Sequence, residues 1–172
     1  MIDPNQEREG LAWQTGVWNR ISSIYLREID RRFEPVVDAL LRRAALRTGE
    51  LVLDLGTGTG SVARRAAAAI GPSGRAVGVD ISPEMLALAR HSAVSLDFGN
   101  LTFLEGRAEA IPAEDAAFDV ALASLSFGRR FRAVSADGKG QTESLRAGRW
   151  RSYACTNDDR RFARRDSDIA AQ

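Results

Sequence analysis

The feature that most constrains this chain is a glycine loop set between an apolar run and a strong helix former. Leu51-Val52-Leu53-Asp54-Leu55 is a short apolar run that suits a strand buried on both faces. Gly56-Thr57-Gly58-Thr59-Gly60 follows, and Ser61 to Ile70 is alanine-rich and expected to be helical. Glycines let a backbone turn sharply and approach a ligand closely. The helix that leaves such a loop presents free N–H groups to an anionic ligand group. A strand feeding a loop that feeds a helix therefore points to a ligand at the carboxyl edge of an α/β sheet.

The chain around the loop supports that architecture. Gly71-Pro72-Ser73-Gly74 breaks the helix, and Arg75 to Asp80 reads as a second strand that ends in an acid. Ser82 is placed as an N-cap, with Pro83 in the first turn of the next helix and Met85, Leu86, Leu88 and Ala89 on its apolar face. Leu101 to Glu105 is a third strand, and Phe118 to Ser124 a fourth. This rhythm gives an α/β fold with a parallel sheet and right-handed crossovers. Upstream, residues 11–47 carry apolar residues at helical spacing, among them Val17, Ile21, Ile24, Phe33, Val36, Val37, Leu40 and Leu41. Pro35 is expected to mark a helix start there. Most of this stripe is core, with Trp18 or Tyr25 available as a lid over a ligand.

Composition excludes several functions. The chain has one cysteine, Cys155, and one histidine, His91, so no intrachain disulfide and no site built from several histidines or cysteines can form. His91 follows a helix and is expected to be exposed rather than catalytic. No apolar run is long enough to span a bilayer, and the acidic, polar start at residues 1–10 is unlike a secretory signal, so a cytoplasmic protein is expected. Charge divides the chain. Residues 1–127 hold 13 Lys/Arg against 17 Asp/Glu, whereas residues 128–172 hold 11 against 6. The latter 45 residues contain three branched aliphatics, Val134, Leu145 and Ile169. The expected organisation is an N-terminal helical segment at 1–50, a ligand-binding core at 51–127 and an irregular basic tail at 128–172, too poor in aliphatics for buried parallel strands. The tail's pairs Arg129-Arg130, Arg160-Arg161 and Arg164-Arg165 admit a nucleic-acid-binding arm, but six interspersed acids argue against nucleic acid as a partner.

Two acids refine the ligand. Asp80 follows Gly60 by 20 residues and ends the second strand, where a carboxylate accepts from both ribose hydroxyls of an adenosine. A dinucleotide site has a similar layout, with the fingerprint G-x-G-x-x-G. Here the third glycine comes one residue early, at Gly60, and Ser61 stands in its place. Asp54, just before the loop, also disfavours a pyrophosphate. It suits a ligand with an ammonium group, such as the methionine end of S-adenosylmethionine. A nicotinamide-dependent oxidoreductase is the alternative of a different class.

Three segments carry a resemblance. Val52 to Gly60, then Gly78-Val79-Asp80-Ile81-Ser82-Pro83-Glu84-Met85-Leu86, then Glu109-Ala110-Ile111-Pro112 with Phe118-Asp119-Val120, are similar to class I S-adenosylmethionine-dependent methyltransferases, and most to the ubiquinone/menaquinone-biosynthesis branch. The resemblance covers about residues 15–127. It implies a Rossmann-like methyltransferase fold, S-adenosylmethionine as cofactor and methyl transfer to a small-molecule acceptor. By the same resemblance, Gly56, Gly58, Thr59 and Gly60 line the methionine moiety; Asp54 and Thr57 of the same segment are also expected to bind the cofactor. Asp80 would bind the ribose and Ile81 would pack on the adenine. Arg107-Ala108 stands where the family has Asp-Ala or Asn-Ala at the adenine edge. Ala108 can serve there through its backbone, but a guanidinium cannot accept from the adenine amino group. Ser124 matches a position beside the sulfonium, or simply caps the strand end. No catalytic base is assigned, and Glu109, Glu114 and Asp115 read as ligand-edge or solvated acids.

The family pattern continues beyond the fourth strand, but this sequence departs from it at Phe127-Gly128, which implies a sheet incomplete after that strand. A non-catalytic methyltransferase remnant is therefore a second alternative. The border is abrupt, and the tail is rich in Arg, Ala, Gly and Ser. Regrouping the codons of Leu145 to Arg151 by one base can spell Pro-Gly-Gly, a variable residue, an aliphatic and Ala, the turn and strand expected of the family. The tail is thus read either as native or as an out-of-frame translation.

Overall fold

The computed structural model describes residues 3–94, 98–108, 110–113, 117–125, 151–156 and 159–166. Helix α1 spans Pro4–Ile24, begun by Asp3, whose side chain accepts from the Asn5 N–H at 3.0 Å. It passes through a π-turn, Tyr25–Ile29, directly into α2, Asp30–Ala44. Then follow β1 (Leu51–Leu55), α3 (Ser61–Ile70), β2 (Arg75–Asp80), α4 (Pro83–Val94), β3 (Leu101–Glu105), β4 (Val120–Ser124), β5 (Arg151–Thr156) and β6 (Asp159–Asp166). Helix α1 starts earlier than the apolar stripe suggests, because Asp3 and Pro4 supply a cap and a first turn. Pro35 does not start a helix. It lies exposed inside α2, where its ring removes one N–H from the ladder on the solvent side.

The sheet has the order β3-β2-β1-β4-β5-β6, parallel throughout except for β6, which runs antiparallel to β5. This is a Rossmann-like arrangement in which β1 is central and the connections β1-α3-β2 and β2-α4-β3 are helical. Alternation along the strands divides the core. Val52, Ala76, Val120 and Leu122 pack with Val37, Leu40 and Ala44 of α2 and with Val62, Ala66, Ala67 and Ile70 of α3. Leu53, Leu55, Val77, Val79, Ala121 and Ala123 form the opposite face, with Phe118 and the partly buried Leu104 and Ile111. Ala63, Leu86, Ala89 and Phe103 join α3 and α4 to β3. Ser82 caps α4 as its sequence position implies: its Oγ accepts from the Met85 N–H at 3.1 Å.

The tail departs from expectation. Residues 151–156 form β5, paired in parallel with β4 from Val120↔Arg151 to Ser124↔Cys155, and β6 completes a hairpin on it. A sheet ladder asks for backbone N–H and C=O groups, not for aliphatic side chains, and the edge of β4 offers an unpaired row of both. Poverty in Ile, Leu and Val therefore did not exclude strands from this segment. Residues 128–150 lie outside the described residues.

Candidate functional site

The site starts at the end of β1. Asp54 is 1% exposed there, and its Oδ2 accepts from Thr57 Oγ1 at 2.6 Å. Its Oδ1 has no hydrogen-bond partner among the described residues. Burial without a counter-charge pushes this carboxyl up to about 7, and the nearby Asp80 adds to the effect while Thr57 opposes it. Beyond Asp54 the chain bends at Gly56, Gly58 and Gly60, with φ of 64°, 55° and 78°. These are left-handed conformations that favour glycine. A Cβ on Gly60 would sit 2.8 Å from Phe103 Cζ, so there the residue is fixed by contact as well as by conformation. The bend is held by the Thr57 N–H donating to the Val79 carbonyl at 3.0 Å and the Gly60 N–H to the Thr57 carbonyl at 2.9 Å.

Asp80, at the end of β2, turns toward the loop. Its Oδ2 accepts from the Gly58 N–H at 2.8 Å and its Oδ1 from the Ser82 N–H at 2.9 Å. Burial raises its pKa, and these backbone donors hold it down. The Ile81 backbone is a third such donor, and a carboxylate has about four acceptor sites, so room remains for a ribose hydroxyl. Gly78 lies beneath: a Cβ there would be 2.7 Å from Thr57 Oγ1 and 2.8 Å from Phe103 Cδ1.

Asp54, Gly56, Thr57, Gly58, Thr59 and Ser124 line one pocket together. Gly60 sits at its rim as the residue before α3. Asp80, Ile81, Arg107 and Ala108 lie on the neighbouring ends of β2 and β3 and do not line that pocket. Ile81 is half-buried and Ala108 buried. The Arg107 guanidinium donates to Glu7 Oε1 of α1 at 2.8 Å, so it faces the N-terminal helix. Ser82 Oγ donates to Asn19 Oδ1 of α1 at 2.6 Å, a second tie between that helix and the strand ends. His91 is exposed on α4. Glu109, Glu114 and Asp115 fall outside the described residues.

The N-terminal helices add pocket residues that no motif contains: Tyr25, Asp30, Phe33 and Val37, together with Leu125 after β4. Tyr25 meets Trp18 edge-on, with ring centroids 6.1 Å apart at 75°. Asp30 Oδ2 accepts from Thr59 Oγ1 in the glycine loop. Burial raises the pKa of Asp30, and burial followed by the charges of Asp30 and Asp80 raises that of the Tyr25 phenol. The signal for Asp30 was in the sequence. It shares a helical stripe with Phe33 and Val37, and a carboxylate on an apolar stripe asks for a reason. Leu125, at φ 58°, carries no comparable signal.

These residues fit S-adenosylmethionine. An unpartnered buried carboxylate oxygen meets a cation, a glycine bend admits backbone approach, the start of α3 can receive a carboxylate, and Asp80 retains acceptors for a ribose. Among the described residues, no group of three or more His, Cys, Asp or Glu could hold a metal ion, and no helix is long and apolar enough to cross a membrane.

Comparison with known proteins identifies the family. Residues 46–146, more than half of the chain, match the family model described as a methyltransferase domain, 19 residues beyond residue 127, where the sequence resemblance ends. A ubiquinone/menaquinone biosynthesis C-methyltransferase of Hahella chejuensis is 30% identical over 71% of this chain and 46% of its own length. An arsenite methyltransferase of Halobacterium salinarum is 38% identical over 47% of this chain and 21% of its own length. The chain thus spans less than half of the length of these relatives. Among solved structures, a SAM-dependent methyltransferase from Aquifex aeolicus shares the fold at a TM-score of 0.57 and 21% identity, covering 69% of this chain and 61% of that one. TrmN from Thermus thermophilus does so at a TM-score of 0.59 and 29% identity, over 71% and 37%. Membership of the matching family implies S-adenosylmethionine as the cofactor. With a family model matched over more than half of its length, the chain belongs to the methyltransferase-domain family.

Proposed function

We propose that this chain binds S-adenosylmethionine across the ends of β1, β2 and β4 and transfers its methyl group to a small-molecule acceptor. One observation carries the reading: the bend at Gly56, Gly58 and Gly60 lies between Asp54, with its unpartnered oxygen, and Asp80, which grips the loop at the Gly58 N–H. When bound, the cofactor supplies a methyl group on a positively charged sulfur. The chain's own task is to bind, align and keep out water. Asp80 orients the ribose with its remaining acceptor capacity, with Ile81 beside the adenine. The start of α3 and the loop hold the methionine end, and Ser124 lies at the strand end facing the same pocket. Alignment of two reactants in one cleft supplies much of the rate for such a transfer, so no fixed base is required of this chain.

The acceptor we infer is a carbon acid, phenol or amine of low molecular weight. Support comes from relatives named for quinone-pathway and arsenite methylation. The reading includes a cytoplasmic setting, in keeping with the reducing environment a single cysteine suits. Titration calorimetry with S-adenosylhomocysteine and with NAD is the test. Binding of S-adenosylhomocysteine alone is expected, and binding of NAD alone would overturn the proposal in favour of a nicotinamide enzyme. A cooperative melt with methyl transfer to a quinol or catechol separates an enzyme from a non-catalytic remnant.

A further inference from the structure

Asp30 belongs to none of the three motifs, yet it lines the same pocket as Asp54 and the glycine loop. Its position depends on the π-turn. In an α-helix, residues five apart point about 140° away from each other, so Tyr25 and Asp30 would diverge. The turn at Tyr25–Ile29 closes instead with the Asp30 N–H donating to the Tyr25 carbonyl. That i→i+5 closure stacks Asp30 over Tyr25, and both side chains reach one cleft. Phe33 and Val37, one and two turns further on, complete the wall.

The charges there are unbalanced. Asp30 and Asp54 line the pocket, and none of the described lining residues is Lys, Arg or His. Arg64 is the nearby cation. Its guanidinium donates to the Thr59 carbonyl at 2.7 Å and partly offsets Asp30. Asp54 Oδ1 stays buried and unpartnered, which is an independent sign that a positive group belongs in this pocket. Thr59 uses one acceptor site of Asp30, and a carboxylate has about four.

We propose that Asp30 is a cofactor-binding residue whose carboxylate meets the cationic methionine end of S-adenosylmethionine, delivered there by the π-turn between α1 and α2. The inference rests on the cleft being the S-adenosylmethionine site. Two groups share the chemistry it recognises, the sulfonium and the α-ammonium. Tyr25 and Phe33 add aromatic rings to the same lining.

The test is calorimetry on the full chain with S-adenosylmethionine, S-adenosylhomocysteine and 5′-methylthioadenosine, which lacks the amino-acid end. In Asp30→Asn, affinity for S-adenosylmethionine is expected to fall about tenfold or more while that for 5′-methylthioadenosine changes less than about twofold, as for loss of one charged hydrogen bond. Loss for S-adenosylmethionine alone assigns the sulfonium, and loss for S-adenosylhomocysteine as well assigns the ammonium; either supports the proposal. The ratio of affinities within one variant cancels any common penalty from partial unfolding, so a weakly folded variant still reports. Glu34→Gln removes an exposed neighbouring carboxylate of α2 that does not line the pocket, and should preserve the wild-type ratio. An unchanged ratio in Asp30→Asn, or the same altered ratio in Glu34→Gln, overturns the assignment. Failure of the wild-type chain to bind any of the three ligands overturns the proposed function instead.

Discussion

Asp54→Asn, followed by unfolding with and without a change of pH, tests the electrostatics of the pocket most directly. The carboxyl is 1% exposed, is held by Thr57, and ionises at about 7 in the folded chain instead of 3.8. The folded state therefore holds a proton that the unfolded state has lost, between about pH 4 and pH 7. Stability from this group is full below the unfolded value and declines as pH rises, until the folded chain too has ionised. Integrated between pH 5 and pH 8, the loss is about 2.5 kcal/mol in the ligand-free protein. For a chain of this size that is roughly 5–10 °C in melting temperature. Asn keeps the shape and an oxygen for Thr57, but buries an NH2 that costs about 1–3 kcal/mol. That cost is the same at both pH values, so it cancels in the double difference. The assay is urea or thermal unfolding of both proteins at pH 5 and pH 8 without ligand. The variant should be less pH-sensitive than wild type by about 2.5 kcal/mol, stable relative to it at the alkaline end. A double difference near zero, or of opposite sign, would show that Asp54 is already ionised in the folded chain and that the reasoning is wrong.

Three further outcomes are expected. Asp80→Ala should weaken S-adenosylhomocysteine binding by about 1–3 kcal/mol, from lost charged hydrogen bonds, and unchanged affinity by calorimetry would remove the ribose assignment. Gly60→Ala should destabilise the fold by about 1–3 kcal/mol, because it combines a positive φ with a collision at Phe103. Gly58→Ala, with nothing within 4 Å of the added Cβ, should cost less in the same melt, and the reverse order would contradict the packing described. Sequencing the coding DNA should show that the alternative frame across codons 145–151 spells Pro-Gly-Gly, a variable residue, an aliphatic and Ala; a different reading there ends the out-of-frame account of the tail.

By itself the sequence determined the central strands and the pocket floor. Apolar runs at 51–55 and 101–105, the Ser82-Pro83 cap and the closely spaced glycines are local signals, and each depends on neighbours only a few residues away. Tertiary structure alone decided what faces that floor. Asp30 reaches Thr59 across 29 residues of chain because a π-turn rephases a continuous helix, and no propensity marks such a turn. Arg107 finds Glu7 across 100 residues, a tie to the N-terminal helix that no local signal marks. The tail joined the sheet for the same kind of reason. The free edge of β4 pairs with backbone, and backbone is common to every sequence, so composition could not exclude it.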